Sequence, residues 1–186
     1  MGEIWLADQS IAKGYWNKPE ETNQTFRAHL ALTGERPYLR TGDLGFVKDG
    51  ELFVTGRLKD IIIIRGRNHY PQDIERTVAQ SHPTLRQGSG AAFSIEKAGE
   101  ERLVVVQEIE RREQAAAIEE VAGAIREAVA EHHDIQVDTV AIIRAGSIPK
   151  TSSGKIKRRA CQGRIPVDSA RNCRNEHSWR QRTGHE

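Results

Sequence analysis

Aromatic residues make up only 5% of this 186-residue chain, so its core has to be built mainly from aliphatic side chains. Cysteine is scarcer still: Cys161 and Cys173 form neither a disulfide framework nor a metal-ligand spacing, and no metal site is expected. No apolar run approaches the ~20 residues of a membrane span. The opening MGEIWLADQS brings in charge and polar groups too early for a secretory signal. A bulk excess of one charge is also missing, since a formal net charge of +2 does not by itself imply a nucleic-acid or membrane partner. With 37% hydrophobic and 29% charged residues, the composition suits a soluble globular protein of one ordinary domain or two small ones. A cytoplasmic location is the expectation.

Hydrophobic patterning supplies the elements. GEIWLAD reads as a strand, and the proline of GYWNKPEET opens a short helix over Glu20 to Phe26. YLRTGDLGFVKDGELFVTGR reads as an antiparallel segment turned at Asp49-Gly50. DIIIIRG predicts a buried strand, PQDIERTVAQS a short helix, and SGAAFSI and RLVVVQEI two further strands. REQAAAIEEVAGAIREAVAEHH is the clearest helix, with Ile118, Val121, Ala122, Ile125 and Val129 on one face. VDTVAIIRA is a last strand. From Ile61 to about Arg159 the order is β-α-β-β-α-β, an α+β unit with its sheet covered by helices. Residues 1–58 are β-rich and read as one piece of a larger β structure. Residues 59–160 form the α+β domain, and residues 161–186 have no apolar period and read as a disordered tail.

IPKTSSGKIKRR, from Ile148 to Arg159, follows that last strand directly. It is not a P-loop: Gly146 is too far from Gly154, and Ile156 follows Lys155 where a Ser or Thr would bind magnesium. Pro149 and Gly154 instead bracket a mobile turn that leaves Lys155 at its exposed end. Lysine so presented can act as a point charge on a developing phosphoryl or carboxylate anion. Taken alone, the stretch reads more readily as a solvated basic loop. Asp43, between glycines in RTGDLG, has the chemistry to accept hydrogen bonds from the two hydroxyls of a ribose, or simply to bond its own turn. Arg57, Lys59 and Asp60 gather where the β-rich piece meets the α+β unit, and Arg65-Gly66-Arg67-Asn68 forms a loop just beyond the buried strand. Charge at such a junction suits a hinge, or an ordinary linker.

Three segments, GEIWLADQSIAKGYWNKPEET, YLRTGDLGFVKDGELFVTGRLKDIIIIRGRNHYPQDIE and IPKTSSGKIKRR, resemble in order and spacing the C-terminal third of the acyl-adenylate-forming superfamily. Together they frame nearly everything from Gly2 to Arg159. The resemblance implies that Asp43 binds the ribose hydroxyls of ATP and that Arg57 approaches the ribose and phosphate. It makes Lys59 the hinge of the small domain, and Lys155 the catalytic lysine that stabilises charge as a carboxylate attacks the α-phosphate. Gly66, Arg67 and Asn68 become candidates for contact with a carrier's arm. IIIIRGRNHYPQDIE looks most like the fatty acyl-AMP ligases, which activate a fatty acid with ATP and pass it to the phosphopantetheine arm of an acyl carrier protein, often for polyketide biosynthesis. Acyl-CoA synthetases, whose more general pattern has Glu where Asp73 stands, and peptide-synthetase adenylation domains are the alternatives within the superfamily.

Members of that superfamily also carry a large AMP-binding domain with a Ser/Thr/Gly-rich phosphate loop and an acyl tunnel, and no such motif occurs in these 186 residues. ATP and Mg2+ are therefore expected to be bound mainly by that domain, and this fragment alone to be inactive. Two readings compete: a non-catalytic remnant, whose tail beyond Arg164 loses the family pattern, and a nucleic-acid-binding module. The second rests on KIKRRACQGR, RNCRNEHSWRQR and Trp179, against a globular part that is not basic overall. His69, His132 and His133 lack a ligand spacing, and the last two suit a helix C-terminus.

Overall fold

Asp49 and Gly50 both adopt positive φ, 52° and 81°, so their two-residue turn twists with the strands that it joins. Those strands are β2 (Leu39–Lys48) and β3 (Glu51–Arg57), paired antiparallel, and β1 (Gly2–Leu6) pairs with the other edge of β2. The structure, a computed structural model, describes residues 1–31, 36–110 and 115–164. Helix α1 (Pro19–Phe26) starts on its proline with Glu20 and Glu21 in the first turn, where acid complements the helix dipole. Thr22 is buried beneath the preceding loop, where its hydroxyl donates to the Lys18 carbonyl (2.6 Å) and accepts the Tyr15 N–H (3.0 Å). These elements form the first of two units, Met1–Asp60. Leu44 is the one buried hydrophobic side chain among its described residues, while Val47, Leu52, Phe53 and Val54 are exposed.

The second unit, Ile61–Glu186, holds the remaining elements. Strands β4 (Ile62–Ile64) and β5 (Arg67–His69) form a short hairpin, followed by α2 (Pro71–Gln80). Strands β6 (Leu85–Lys97) and β7 (Glu100–Ile109) pair antiparallel across a turn at Ala98-Gly99. The chain then crosses through α3 (Ala115–His133) to β8 (Val137–Arg144), which joins β7 in parallel. A short helix, α4 (Arg158–Gln162), completes the unit.

Alternation along β7 divides the core in two. Leu103, Val105 and Ile109 belong to a cluster covered by Ile74 and Val78 of α2 and by Val121, Ala122, Ile125 and Val129 of α3. Val104 and Val106 point the other way, into a cluster with Ala91, Phe93, Ala141 and Ile143 of the flanking strands. That face is covered by Ile148, Ile156 and Cys161, which come from the stretch around Lys155 and from α4. A strand buried on both faces reads as a continuous apolar run, which is why RLVVVQEI shows no polar alternation.

The α+β architecture is as expected, with three differences. Arg67 and Asn68 lie in β5 rather than in a loop, because Ile64↔Arg67 and Ile63↔Asn68 pair across a turn made by Arg65 and Gly66 alone (φ 50° and 73°). The strand read from DIIIIRG is confined to three residues, of which Ile63 is exposed. The tail does not begin at Cys161: α4 runs to Gln162, and Cys161 is fully buried because the second sheet face needs an apolar cover there. The disorder expected further along falls on residues 165–186, which lie outside the described residues.

Candidate functional site

Gly146 turns the chain after β8 with φ 77°, and Ile148 drops into the second core cluster. From there the stretch closes on itself. Lys150 and Ile156 form an antiparallel bridge, and the Lys157 N–H donates to the Pro149 carbonyl (2.9 Å). The Thr151 N–H donates to the Lys155 carbonyl (2.7 Å) and the Gly154 N–H to the Thr151 carbonyl (2.9 Å), with Gly154 at φ 81°. The Thr151 hydroxyl then accepts the Lys155 N–H at 3.0 Å. The turn is thus a hydrogen-bonded hairpin, more firmly closed than its small residues suggest. Its returning arm carries Ile156 inward onto the core, so Lys155, one residue earlier, faces outward and is exposed. Its ammonium forms no ion pair with a described residue.

In the first unit, Asp43 and Arg57 sit opposite each other on β2 and β3, and the Arg57 Nε lies 3.3 Å from the Asp43 carboxylate. Asp43 thus lies within a strand and not in the turn between strands that its flanking glycines suggest, and side chains hold the backbone of β2 just before it. The Thr41 hydroxyl donates to the Ile4 carbonyl (2.8 Å) and accepts the Asp43 N–H (3.0 Å), while the Gly42 N–H donates to the Glu3 carboxylate (3.2 Å). Burial raises the Glu3 carboxyl pKa, but hydrogen bonds from Trp5, Arg40 and Gly42 outweigh it and leave the group below its ordinary value, as a carboxylate. Asp43 therefore keeps its backbone N–H bonded to Thr41 and offers a half-buried carboxylate beside a cation. Lys59 lies exposed in a 3-10 turn, Leu58–Asp60, directly after β3.

Gly66, Arg67 and Asn68 form the tip and one arm of the β4–β5 hairpin. The Arg67 guanidinium is paired with Asp134 at 2.6 Å, beyond the C-terminus of α3. His133 Nε2 bonds the Thr77 hydroxyl (2.8 Å), and His69 is buried. Among the described residues no three His, Cys, Asp or Glu side chains are grouped to hold a metal ion. No described helix is long and apolar enough to cross a membrane.

Sequence reasoning brought out Lys155 but not what holds its hairpin. Glu108 accepts the Ile148 N–H at 2.8 Å, and Glu75 grips Arg158 through two contacts of 2.6 and 2.7 Å. Glu108 could have drawn notice as a lone acid inside an apolar strand run, since a buried charge needs a partner. Nothing local marks Glu75.

A profile of the Disco-interacting protein 2-like AMP domain matches residues 59–164. The medium-chain-fatty-acid–[acyl-carrier-protein] ligase JamA of Moorena producens is 66% identical over 163 residues, covering 87% of this chain and 28% of that protein. The long-chain-fatty-acid–AMP ligase FadD26 of Mycobacterium marinum is 41% identical over 177 residues, 90% of this chain and 30% of its own length. A structure from studies of fatty acyl-adenylate ligases of E. coli and L. pneumophila superposes with a TM-score of 0.67 at 33% identity, over 88% of this chain and 27% of that one. The chain thus spans less than a third of the length of each of these relatives.

Proposed function

This chain belongs to the Disco-interacting protein 2-like AMP-domain family of acyl-adenylate-forming enzymes, and from that premise we propose that it is the C-terminal part of a fatty acyl-AMP ligase. The observation that carries the proposal is the Lys155 hairpin, which seats Ile156 in the core and turns the lysine outward. The reaction is the attack of a fatty acid carboxylate oxygen on the α-phosphorus of ATP. The bond from that phosphorus to the oxygen bridging toward the β-phosphate breaks, and pyrophosphate leaves. Negative charge builds on the α-phosphoryl oxygens in passing, and a positioned ammonium at Lys155 stabilises it. Asp43 supplies acceptors for the ribose hydroxyls and Arg57 a cation for the phosphate, a donor set that fits a nucleotide.

Lys59 serves as the hinge, and the Gly66–Asn68 arm faces the phosphopantetheine thiol of an acyl carrier protein, which attacks the acyl carbonyl and releases AMP. The similarity to a carrier-protein ligase and to a fatty-acid–AMP ligase supports a carrier as the acceptor. Magnesium is expected with the nucleotide, and no described residue is assigned to it. The reaction belongs in the cytoplasm, where ATP and fatty acid are both available.

The test is a graft in which this chain replaces the matching 28% of the Moorena producens ligase. The graft should catalyse fatty-acid-dependent pyrophosphate exchange and load a carrier protein in preference to CoA. Lys155→Ala should slow exchange about a hundredfold or more, the effect of losing one transition-state donor at roughly 3–4 kcal/mol. A loss under about threefold would show that the lysine has another role. These 186 residues alone should give no exchange above blank. A graft that folds but stays inactive would favour a non-catalytic remnant.

A further inference from the structure

Two carboxylates hold the two ends of the Lys155 hairpin, and neither belongs to the hairpin. At its start, Glu108 near the end of β7 is fully buried; its Oε1 accepts the Ile148 N–H at 2.8 Å and its Oε2 accepts Arg86 Nη1 at 3.1 Å. At its end, Glu75 of α2 takes Arg158 as a fork, Nε on Oε1 at 2.6 Å and Nη2 on Oε2 at 2.7 Å. The same Oε1 accepts the Ala92 N–H of β6 at 3.0 Å. The Glu75 and Arg158 side chains are 15% and 25% exposed, so this is not a solvated surface pair of little consequence. Between the two clamps, Lys150 Nζ reaches the Ser89 hydroxyl (3.3 Å), and Ile148, Ile156 and Cys161 pack on the sheet.

The two faces of the sheet meet at the second clamp. Ile74 and Val78, the neighbours of Glu75 on α2, cover one face, while Arg158 begins the helix that covers the other. Arg158 stands three residues beyond Lys155, so its fork fixes the arm that carries the lysine. Reaction rates fall steeply when a reacting group is misplaced by even about 1 Å. We infer that Glu75, Arg158 and Glu108 are positioning residues that act through Lys155, an inference that rests on the assignment of Lys155 to the adenylation step. Glu108 registers the incoming arm to β7, and the Glu75–Arg158 fork registers the outgoing arm to α2 and β6.

Two readouts test this. In the 186-residue chain itself, Arg158→Ala and Glu75→Gln should speed amide hydrogen exchange of Thr151, Gly154 and Lys157 by about tenfold or more and leave the β7 amides unchanged. In the grafted ligase, Arg158→Ala should lower kcat for adenylation by about tenfold to a hundredfold with KM for ATP and fatty acid unchanged, and Arg158→Lys should recover part of the loss. In a Lys155→Ala background the same substitution should cost nothing further, since the two act as one. Unchanged hairpin exchange, accelerated β7 exchange, or an equal fall in kcat in both backgrounds would overturn the inference. If Lys155→Ala alone leaves the rate intact, the lysine assignment fails, while amide exchange still decides whether the clamps hold the hairpin.

Discussion

Cys161 shows how one residue reports on the cover of the second sheet face. It is fully buried, and burial pushes its thiol up to about 11. Thiolate is the reactive form, so a thiol that is both buried and protonated should be inert. With Cys173→Ser removing the other thiol, we expect Cys161 to react with a disulfide reagent about a hundredfold more slowly in native buffer than in guanidinium. Comparable rates would mean that α4 does not stay seated. His69 offers a second reading at this scale. Burial lowers its pKa below the usual 6.5, the Arg67 cation lowers it further, and Asp134 pulls the other way. Its Nε2 has no described hydrogen-bond partner. The neutral ring is thus the folded form, and the unfolded chain binds a proton first as pH falls. Its contribution to stability is present above pH 6.5 and is lost as pH drops below it. His133, lowered mainly by burial, adds in the same direction. The urea midpoint should therefore fall between about pH 7.5 and about pH 5, and His69→Gln should flatten part of that slope. An unaltered slope would assign the pH dependence to other groups.

Among the elements, the β2–β3 hairpin was fully legible, because Asp49-Gly50 is a local turn signal flanked by apolar runs. Its middle hides a tighter requirement at Gly45. A Cβ there would lie 2.6 Å from the Phe53 carbonyl oxygen and 2.9 Å from Ile4 Cδ1. Gly45→Ala must move backbone, and we expect a cost of about 1–3 kcal/mol in urea unfolding. A neutral effect would show that β1 shifts freely over β2. The β4–β5 hairpin was not legible, since Arg67-Asn68-His69 carries no β-forming pattern and is made a strand only by its pairing with Ile62–Ile64. Helix α4 is five residues long, too short to show a period. The Lys155 stretch could be read for its residue types and its outward lysine. Its clamps could not, because Glu75 and Arg158 are 83 positions apart and only the fold joins them.

At the scale of the whole molecule, the two units differ in how much core they own. Among the described residues both hydrophobic clusters lie in the second unit, whereas the first has a three-stranded sheet and one short helix, with apolar residues of its hairpin exposed, among them the stacked pair Phe46 and Phe53 at 5.2 Å. Small sheets with little buried area are marginal in water. Residues 61–164 produced alone should unfold cooperatively in urea, and residues 1–60 alone should show no such transition. A cooperative transition in residues 1–60 would mean that Leu44 and Thr22 suffice as a core. The parallel pairing of β7 with β8 has a further consequence, in time rather than in space. The antiparallel β6–β7 hairpin closes across a two-residue turn, but β8 cannot join until α3 has crossed the sheet, and the Lys155 hairpin follows β8 in the chain. Local pairings form fast and distant ones slowly. On refolding, secondary structure should return first, and the lysine should come into register last.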